Sequence, residues 1–356
     1  MPKKIVFTGG GTAGHVTLNL ALIPWFIKEG WQVSYIGSHT GIEKELVSRY
    51  PEVKYYSVST GKLRRYFSWQ NILDMAKIPL GCLQACYLIH KLNPDIIFSK
   101  GGFVSFPVVV GGFVNRKKIF MHESDITPGL ANKMSLPFVD TFFTTFPETI
   151  KSVKAKQKVS CIGPVMTDRL FNGSREEGAK LAGLTSDKPT VMVIGGSLGA
   201  QSLNQAVAQN FSELLKSYQV IHISGKNGFN PALQGKGYAQ YEYVDKELKH
   251  FMALADVVIS RAGSNAIFEL ASLQKQMILV PLSAQSSRGE QSLNAQSFKA
   301  KGYAEIINDD EISDSTILLP MIKKVYDNRC EYQQKMQENP IKTTTVSAIC
   351  QQITKE

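Results

Sequence analysis

Four glycine-containing turns, each placed directly after an apolar run, are the segments of this sequence best suited to chemistry. They lie at 9–15, 101–102, 195–197 and 262–265. Glycine lets the backbone approach a ligand closely, and the N-terminus of a following helix directs unpaired N–H groups at an anion. Because two of these turns fall in each half of the chain, we predict a cleft with phosphate groups on both sides.

The first turn also fits a dinucleotide-binding pattern, because Gly9, Gly11 and Gly14 satisfy G-x-G-x-x-G after a predicted strand. That interpretation also requires an acidic residue at the end of the second strand, where it would bind the ribose hydroxyls. The second apolar run reaches Ser38 without one, and the next acid, Glu43, is predicted to lie inside the following helix. An NAD-dependent dehydrogenase is therefore disfavoured.

Two side chains near these turns are candidates for acid–base chemistry. His15 follows the first turn at the start of a helix. A helix N-terminus favours the neutral imidazole that a general base needs near pH 7, so we favour a base over a purely structural histidine. The pair His122 and Glu123 ends another predicted strand, and two hypotheses stay equal. The pair either stabilises the turn before Pro128, or presents a carboxylate to the same cleft.

The sequence contains no metal-binding pattern beside these candidates. HExxH is absent, and no two aspartates flank a single residue at the end of a predicted strand. The acidic stretch at 309–314 is predicted to be a solvated turn or a helix cap. We therefore expect no metal ion and no cofactor, so that backbone dipoles, hydroxyl groups and arginine would neutralise a leaving diphosphate.

Short apolar runs that alternate with helix-length segments place these turns in a parallel α/β architecture. The predicted strands are 4–8, 32–36, 96–99, 118–121 and 142–144, and then 190–194, 219–223, 241–244, 257–260 and 277–280. Both series begin with a strand that enters a glycine turn. We predict two Rossmann-like domains, 1–161 and 162–341, with a hinge near 162–164 and a closing helix in 342–356.

Composition and charge narrow the class of protein. Of the 356 residues, 43% are hydrophobic and 20% charged, as in globular proteins, and the five cysteines form no CxxC pair, which indicates a reducing compartment. The apolar run at 103–114 is too short to span a bilayer, and no secretory signal follows Lys3 and Lys4, so we expect a soluble or peripheral protein. The net charge of +10 suits nucleic acid, an acidic membrane face or phosphorylated substrates.

Four segments in the same order resemble the MurG family, the GlcNAc transferases that convert lipid I to lipid II. They are GGGTAGH at 9–15, HESDITPGLANK at 122–133, GGSLGA at 195–200 and SRAGSNAIFE at 260–269. The resemblance covers nearly the whole chain, and SRGEQ at 287–291 is similar to the Gram-positive branch. It implies a GT-B fold, two Rossmann-like domains facing a cleft, in which the first domain takes lipid I and the second takes UDP-GlcNAc.

The resemblance also implies roles for individual residues. His15 is the candidate base, with Glu123 as a second catalytic candidate. Ser197 would contact the diphosphate and Gln291 the GlcNAc hydroxyls, because an amide both donates and accepts hydrogen bonds. The backbone of Val244 would hold the uracil, 262–267 would form the pyrophosphate turn and Glu269 would hold the ribose diol. The full set implied to bind UDP-GlcNAc is Thr12, Ala13, Gly14, Asp125, Ser197, Val244, Ala262, Gly263, Ser264, Asn265, Ala266, Ile267, Glu269 and Gln291.

Three positions depart from the family pattern, and inherited contacts are least secure there. Met166 stands where an arginine often follows the hinge, so that Arg169 or Arg288 would have to supply the charge. Asp125 replaces the usual asparagine, and Glu290 precedes the late glutamine where a second glutamine is also found.

A lipid-linked acceptor also requires a surface that reaches the bilayer. The candidate is the segment at 62–69, in which Arg64 and Arg65 would meet anionic headgroups and Phe67 and Trp69 would lie at the interface. The alternative is a helix packed on the sheet with solvated basic residues. We expect a peripheral protein on the cytoplasmic side of the cell membrane, with UDP-GlcNAc, lipid I and the anionic inner-membrane surface as partners and no nucleic acid.

Two other functions are compatible with part of the sequence. Another GT-B enzyme acting on UDP-GlcNAc, such as an epimerase or a transferase with a soluble acceptor, would keep the motifs of the second half but would not need 122–133. A non-enzymatic protein that binds polyanions would suit the net charge. It would leave the glycine turns and Glu269 without a task, and basic residues alternate with aromatic ones only around 62–69.

Overall fold

The computed structural model describes residues 2–61, 69–153, 158–166, 168–196, 199–283 and 289–355, with only the backbone at 69–76, 152 and 168. The chain divides into two compact units. The first contains residues 1–167 and 342–356, and the second contains 168–341. Each is built on one parallel sheet with helices on its faces, so the predicted pair of Rossmann-like α/β domains is confirmed.

The first unit contains a seven-stranded sheet in the order β3-β2-β1-β4-β5-β6-β7, with every neighbouring pair parallel. Its elements are β1 (Lys4–Thr8), α1 (Thr17–Lys28), β2 (Gln32–Gly37), α2 (Ile42–Val47), β3 (Lys54–Ser57), α3 (Trp69–Leu92), β4 (Ile96–Ser99), α4 (Ser105–Val114), β5 (Lys118–Glu123), α5 (Leu130–Ser135), β6 (Thr141–Thr144), β7 (Lys158–Cys161) and β8 (Val165–Met166).

The second unit contains a six-stranded parallel sheet in the order β11-β10-β9-β12-β13-β14. Its elements are α6 (Arg175–Ala182), β9 (Thr190–Ile194), α7 (Gln201–Gln209), α8 (Phe211–Ser217), β10 (Gln219–Ile223), β11 (Tyr238–Tyr241), α9 (Leu248–Leu254), β12 (Val257–Ser260), α10 (Ser264–Ser272), β13 (Gln276–Leu279), α11 (Glu290–Ala300), β14 (Ala304–Ile306), α12 (Ser315–Asp327) and α13 (Arg329–Glu338).

The last segment returns to the first unit as β15 (Thr344–Thr345), which pairs with β8, and α14 (Val346–Lys355). The apolar side chains of α14 that enter the core are Ile349, Cys350 and Ile353, all fully buried beside α1. Burying a side chain of this size contributes about 1.5–3 kcal/mol, which is enough to fix a ten-residue helix to the unit. The predicted closing helix therefore starts four residues later than expected, after a short strand.

One strand was predicted at the wrong position, and five observed strands were not predicted. The strand expected at 241–244 is wrong, because β11 begins directly after Gly237, whose φ of +90° turns the chain, and ends at Tyr241. The short strands β3, β7, β8, β14 and β15 were not predicted. Within the described residues, no helix combines the length and the apolar character needed to cross a membrane.

Candidate active site

The first unit brings two glycine turns together where β1 and β4 lie side by side and the chain leaves them in opposite directions. Ligands of open α/β sheets bind outside the carboxyl ends of the strands at such a point. The Gly10 N–H donates to the Gly101 carbonyl at 3.3 Å. Gly102 has a φ of +82°, and a Cβ there would lie 2.3 Å from the Gly10 carbonyl oxygen. Only glycine permits this close approach of the two turns. The surface that they present to a ligand therefore consists of backbone peptide groups.

His15 lies against this surface. It is the last residue of a 3-10 turn, Ala13–His15, that precedes α1, and its ring is partly exposed. The Nδ1 atom is 2.9 Å from Thr12 Oγ1, and a Cβ on Gly102 would lie 3.2 Å from the same nitrogen. The predicted base therefore lies at the carboxyl edge of the sheet between both glycine turns. Thr12 and Gly14 are exposed beside it.

Glu43 fixes the first glycine turn through hydrogen bonds to its backbone, a role that the sequence did not reveal. It is fully buried, and its carboxylate accepts hydrogen bonds from the Gly11 N–H at 3.2 Å and the Ser38 N–H at 3.0 Å. The Ser38 hydroxyl donates to it as well. A Cβ on Gly10 would come within 2.5 Å of the carboxylate. The acid nearest to the second strand is thus engaged with its own loop.

Glu123 organises the turn that follows β5. Its buried carboxylate accepts hydrogen bonds from the N–H groups of Ser124 at 2.9 Å, Asp125 at 3.1 Å and Gly129 at 3.1 Å. The Asn132 side-chain amide donates to it at 2.9 Å. These contacts describe the turn-stabilising hypothesis, whereas a direct role for Glu123 in chemistry stays a prediction.

A buried lysine balances this carboxylate. Lys100, the residue between β4 and the second glycine turn, donates from Nζ to Ser124 Oγ at 2.9 Å. Burial raises the pKa of Glu123 and lowers the pKa of Lys100, and each charge opposes the shift of the other. His122 contacts Thr145 at 3.4 Å instead of Glu123, and burial lowers the pKa of its imidazole well below the usual range. The Glu123 carboxylate thus stabilises the turn through backbone N–H groups and Asn132, and the charge of Lys100 lowers its pKa against the effect of burial.

Replacing Glu123 with glutamine is expected to destabilise the protein. Glutamine would place an amide NH₂ against N–H groups that now donate to the carboxylate, and each buried unsatisfied group costs about 1–3 kcal/mol. We expect a loss of about 2–3 kcal/mol, which corresponds to roughly 5–10 °C in Tm for a unit of this size. Thermal unfolding followed by circular dichroism measures it, with Glu45→Gln on the exposed face of α2 as the matched control. Equal Tm values for the two variants would contradict the role of Glu123 in the turn.

The second unit repeats the arrangement between β9 and β12. After β9, an added Cβ on Gly195 would lie 2.8 Å from the Ala200 nitrogen, and Gly199 has a φ of +83°. Ser197, between them, lies outside the described residues. After β12 the chain passes through Ala262 to Gly263, which caps the N-terminus of α10. Two glycine-containing turns thus again follow neighbouring strands at the carboxyl edge of a sheet.

The start of α10 offers backbone groups rather than side chains. A Cβ on Gly263 would have nothing within 4 Å, so the first turn of the helix is open on this side. Ala262 and Ile267 are fully buried, while Asn265 is exposed and Ala266 is partly exposed. Ser264 is 6% exposed. An anion at this helix end would therefore meet N–H groups and the positive end of the helix dipole.

Arg169 links the predicted ribose and uracil positions. Its guanidinium lies 3.8 Å from the Glu269 carboxylate and 4.0 Å from that of Asp245, the neighbour of Val244. Burial raises the pKa of Glu269, and the Arg169 charge opposes this shift. Val244 itself is buried in an irregular segment after β11, and Tyr243 beside it is exposed. The structure thus brings Glu269 and the turn that holds Val244 together.

Gln291, the predicted contact of the GlcNAc hydroxyls, lies in the first turn of α11. The Gln291 Oε1 atom accepts a hydrogen bond from the Leu282 N–H at 3.2 Å, which orients the amide. Asn294, which sequence reasoning missed, is fully buried and donates from Nδ2 to the Ala262 carbonyl at 3.2 Å. The start of α11 is therefore tied to the turn that precedes α10. Arg288 lies outside the described residues.

Comparison with known proteins assigns the chain to a family. The model of the N-terminal domain of glycosyltransferase family 28 matches residues 5–144, and the C-terminal domain model matches 190–353. A Geobacillus kaustophilus protein named UDP-N-acetylglucosamine--N-acetylmuramyl-(pentapeptide) pyrophosphoryl-undecaprenol N-acetylglucosamine transferase is 50% identical over 339 residues, covering 95% of this chain and 94% of the relative. A relative of the same name from Oceanobacillus iheyensis is 47% identical and covers 96% and 97%. The chain belongs to the MurG family.

Solved structures extend the likeness to the fold of this MurG family member. A crystal structure of Acinetobacter baumannii MurG matches over the full length of both chains with a TM-score of 0.78 and 21% identity. A putative UDP-N-acetylglucosamine 2-epimerase from Listeria monocytogenes also matches, with a TM-score of 0.59 and 12% identity over 94% and 91% of the chains. The GT-B fold is confirmed by these matches, and it is common to transferases and an epimerase. The fold alone therefore does not distinguish a transferase from an epimerase. The sequence identity does, because it is 47–50% to the two named transferases and 12% to the putative epimerase.

The four predicted membrane-docking residues have no described side chain. Arg64, Arg65 and Phe67 lie outside the described residues, and Trp69 starts α3 with only its backbone described. Among the residues that the structure describes, no group of three or more His, Cys, Asp or Glu lies close enough together to hold a metal ion.

Proposed function

We propose that the protein transfers GlcNAc from UDP-GlcNAc to the C4 hydroxyl of MurNAc in lipid I, which gives lipid II in peptidoglycan synthesis. The observation that carries this proposal is the identity of 47–50% to transferases named for that reaction, over 94–96% of this chain in five of them. The contacts of the two glycine-turn sites support the same chemistry.

The second unit holds the donor in this proposal. Glu269 accepts hydrogen bonds from the ribose diol, and the backbone at Val244 pairs with the uracil, two positions that Arg169 already connects. The diphosphate lies at the start of α10, where unpaired N–H groups stabilise the charge that develops as UDP leaves. Gln291 orients the GlcNAc hydroxyls.

The first unit holds the acceptor in this proposal, with its diphosphate on the glycine turns beside His15. The acceptor oxygen attacks the anomeric carbon from the face opposite UDP, so the C4–O–C1 bond forms while the bond from C1 to the phosphate oxygen breaks. His15 takes the proton of the attacking hydroxyl, and UDP leaves with the electron pair. A single displacement of this kind inverts the anomeric centre.

An acceptor comparison tests the proposed function. UDP-GlcNAc labelled in the sugar is incubated with the protein and a lipid I analogue, with a soluble muramoyl peptide that lacks the diphosphate, or with no acceptor. We expect label to appear in product only with the lipid I analogue. Transfer to the soluble compound would identify a transferase with a soluble acceptor, and conversion of UDP-GlcNAc without an acceptor would identify an epimerase.

The proposal also requires the protein to dock on a bilayer, and an apolar stripe on the first unit suits that purpose. Leu80, Leu83 and Tyr87 recur on one face of α3 and are 49%, 70% and 65% exposed. At the end of α4, which Asn115 joins to α3 through a hydrogen bond to the Cys86 carbonyl at 3.1 Å, Phe113 and Val114 are exposed as well. The exposed Arg116 follows them, and basic residues near an anionic surface contribute about 1 kcal/mol each. We therefore place the peripheral docking surface on α3, the end of α4 and the segment at 62–69.

Removing two apolar side chains from this stripe should release the protein from membranes. The double variant Leu83→Ser, Tyr87→Ser is expected to bind anionic vesicles on the order of 10²–10⁴-fold more weakly, because burying each side chain in lipid contributes about 1.5–3 kcal/mol and about 1.4 kcal/mol corresponds to a tenfold change in affinity. Vesicle sedimentation measures binding, and turnover of a short-chain soluble acceptor should persist. The matched control is Phe229→Ser, which removes an exposed aromatic side chain of the second unit. Vesicle binding that is unchanged in the folded double variant would place the docking surface elsewhere.

The docking residues that were predicted from the sequence provide a second variant for the vesicle-binding test. Replacing Arg64, Arg65 and Trp69 together is expected to weaken vesicle binding in the same direction through lost headgroup contacts. Its binding should also depend on the anionic lipid fraction less steeply than that of the wild type.

A further inference from the structure

One arginine within the SRAGSN motif at 260–265 makes contacts that donor binding alone does not explain. The Arg261 side chain is 13% exposed, and its guanidinium donates to Asp309 Oδ1 at 2.6 Å. It also donates to Ser202 Oγ at 2.9 Å and to the Val280 carbonyl at 3.2 Å. The Ser202 hydroxyl donates in turn to Asp309 at 2.5 Å.

Arg261 and its three partners lie in four different segments at the carboxyl edge of the second sheet. Arg261 directly precedes the turn that starts α10, and Ser202 lies in the first turn of α7. Val280 follows β13, and Asp309 lies in the turn after β14. A single guanidinium therefore ties the starts of α7 and α10 to each other and to the outer half of the sheet.

The chemistry of this network makes its geometry rigid. Guanidinium is planar and presents several donors in a fixed fork, so the positions of all three acceptors are set together. Asp309 is largely buried, with 18% of its side chain exposed, and a buried carboxylate that loses its partner is strongly unfavourable. Lysine would keep the charge but could not satisfy three acceptors in the same plane.

We propose that Arg261 is a positioning residue for diphosphate recognition: through Ser202 and Asp309 it holds the N-termini of α7 and α10 in the register that the donor diphosphate requires. This inference rests on the proposed function, in which the diphosphate lies at the start of α10. Arg261 acts through the backbone of the two helices, while Glu269 and the Val244 turn recognise the nucleoside.

The second unit contains a matched control network at its opposite edge. The Arg175 guanidinium donates to both oxygens of Asp256, at 2.9 and 3.1 Å, and to the Leu254 carbonyl at 2.8 Å. Asp256 also accepts a hydrogen bond from the N–H of Thr190, the first residue of β9, at 2.8 Å. This pair fixes the amino ends of the same strands, so its loss tests stability without moving the proposed diphosphate site.

The test compares Arg261→Lys and Arg175→Lys in the full-length protein, with uridine and UDP as ligands. Calorimetry gives the Kd of UDP, and NMR titration gives the weaker Kd of uridine. We expect Arg261→Lys to raise the Kd of UDP on the order of 10–100-fold, as for a lost charged hydrogen bond, and to change that of uridine less than about twofold. Arg175→Lys should change neither.

A milder variant keeps the inference testable if Arg261→Lys unfolds. Ser202→Ala retains the Arg261–Asp309 ion pair and is expected to weaken UDP binding selectively, by a smaller factor. Unchanged UDP binding in a folded Arg261 or Ser202 variant, or equal weakening of uridine and UDP, would overturn the positioning role. Failure of the wild type to bind UDP would instead overturn the proposed function, and this inference with it.

Discussion

Replacing His15 with alanine is expected to lower kcat by about 10²–10⁴-fold, the usual contribution of a general base. The physical reason is the place of the imidazole, against the glycine turns at the carboxyl edge of the first sheet and fixed through Nδ1 to Thr12. UDP binding should change little, because the nucleoside contacts belong to the second unit in the proposed function. Steady-state kinetics with a soluble lipid I analogue and calorimetry with UDP measure the two effects.

A matched control for this variant is His90→Ala, which removes an exposed imidazole from α3. It should keep wild-type turnover. Near-normal kcat in His15→Ala would place the base elsewhere, and Glu123 would be the next residue to test, in spite of its engagement with the turn after β5.

Replacing Glu269 with alanine is expected to raise the KM for UDP-GlcNAc about 10–100-fold, since hydrogen bonds to a charged group contribute roughly 1.5–3 kcal/mol. The ribose diol would lose its acceptor, and the Arg169 guanidinium would lose the carboxylate that lies 3.8 Å away. The reacting atoms are distant from the ribose, so kcat should fall much less than KM rises.

Two further variants give the Glu269 result its meaning. Glu269→Gln keeps an acceptor for the diol and should raise KM less than alanine does. Glu213→Ala removes an exposed carboxylate of the same unit and should leave KM unchanged. A wild-type KM in a folded Glu269→Ala variant would show that this carboxylate does not bind the ribose.

The strands that sequence patterns predicted correctly are interior strands of the two sheets. β1, β4, β9 and β12, for example, each pair with a strand on either edge. Because helices also cover both faces of a parallel sheet, an interior strand has a nearly continuous apolar sequence. The missed or misplaced strands of the two large sheets are β3, β7, β11 and β14, the four edge strands. An edge strand packs against fewer neighbours, so a segment such as Lys54–Ser57 forms it without an apolar signature.

In the candidate site, too, features formed by residues adjacent in the sequence were predicted, and contacts between distant residues were not. The glycine turns and the start of α10 could be predicted, because a strand, a glycine and a helix start are adjacent in the sequence. The supporting polar contacts could not: Lys100 meets Ser124 and Arg261 meets Asp309 only after distant segments fold together. Such pairs have no periodicity in the sequence, so only the folded chain reveals them.

The central claim is that GlcNAc is joined to the muramoyl residue of a lipid-linked acceptor with inversion. The most direct measurement is an NMR spectrum of the product formed from UDP-GlcNAc, labelled with ¹³C at the anomeric carbon, and a soluble lipid I analogue. We expect a single disaccharide product, with the labelled carbon β-linked to C4 of MurNAc and UDP released in equal amount. An α-linkage, attachment at another hydroxyl, or label recovered only in an epimerised UDP-sugar would contradict it.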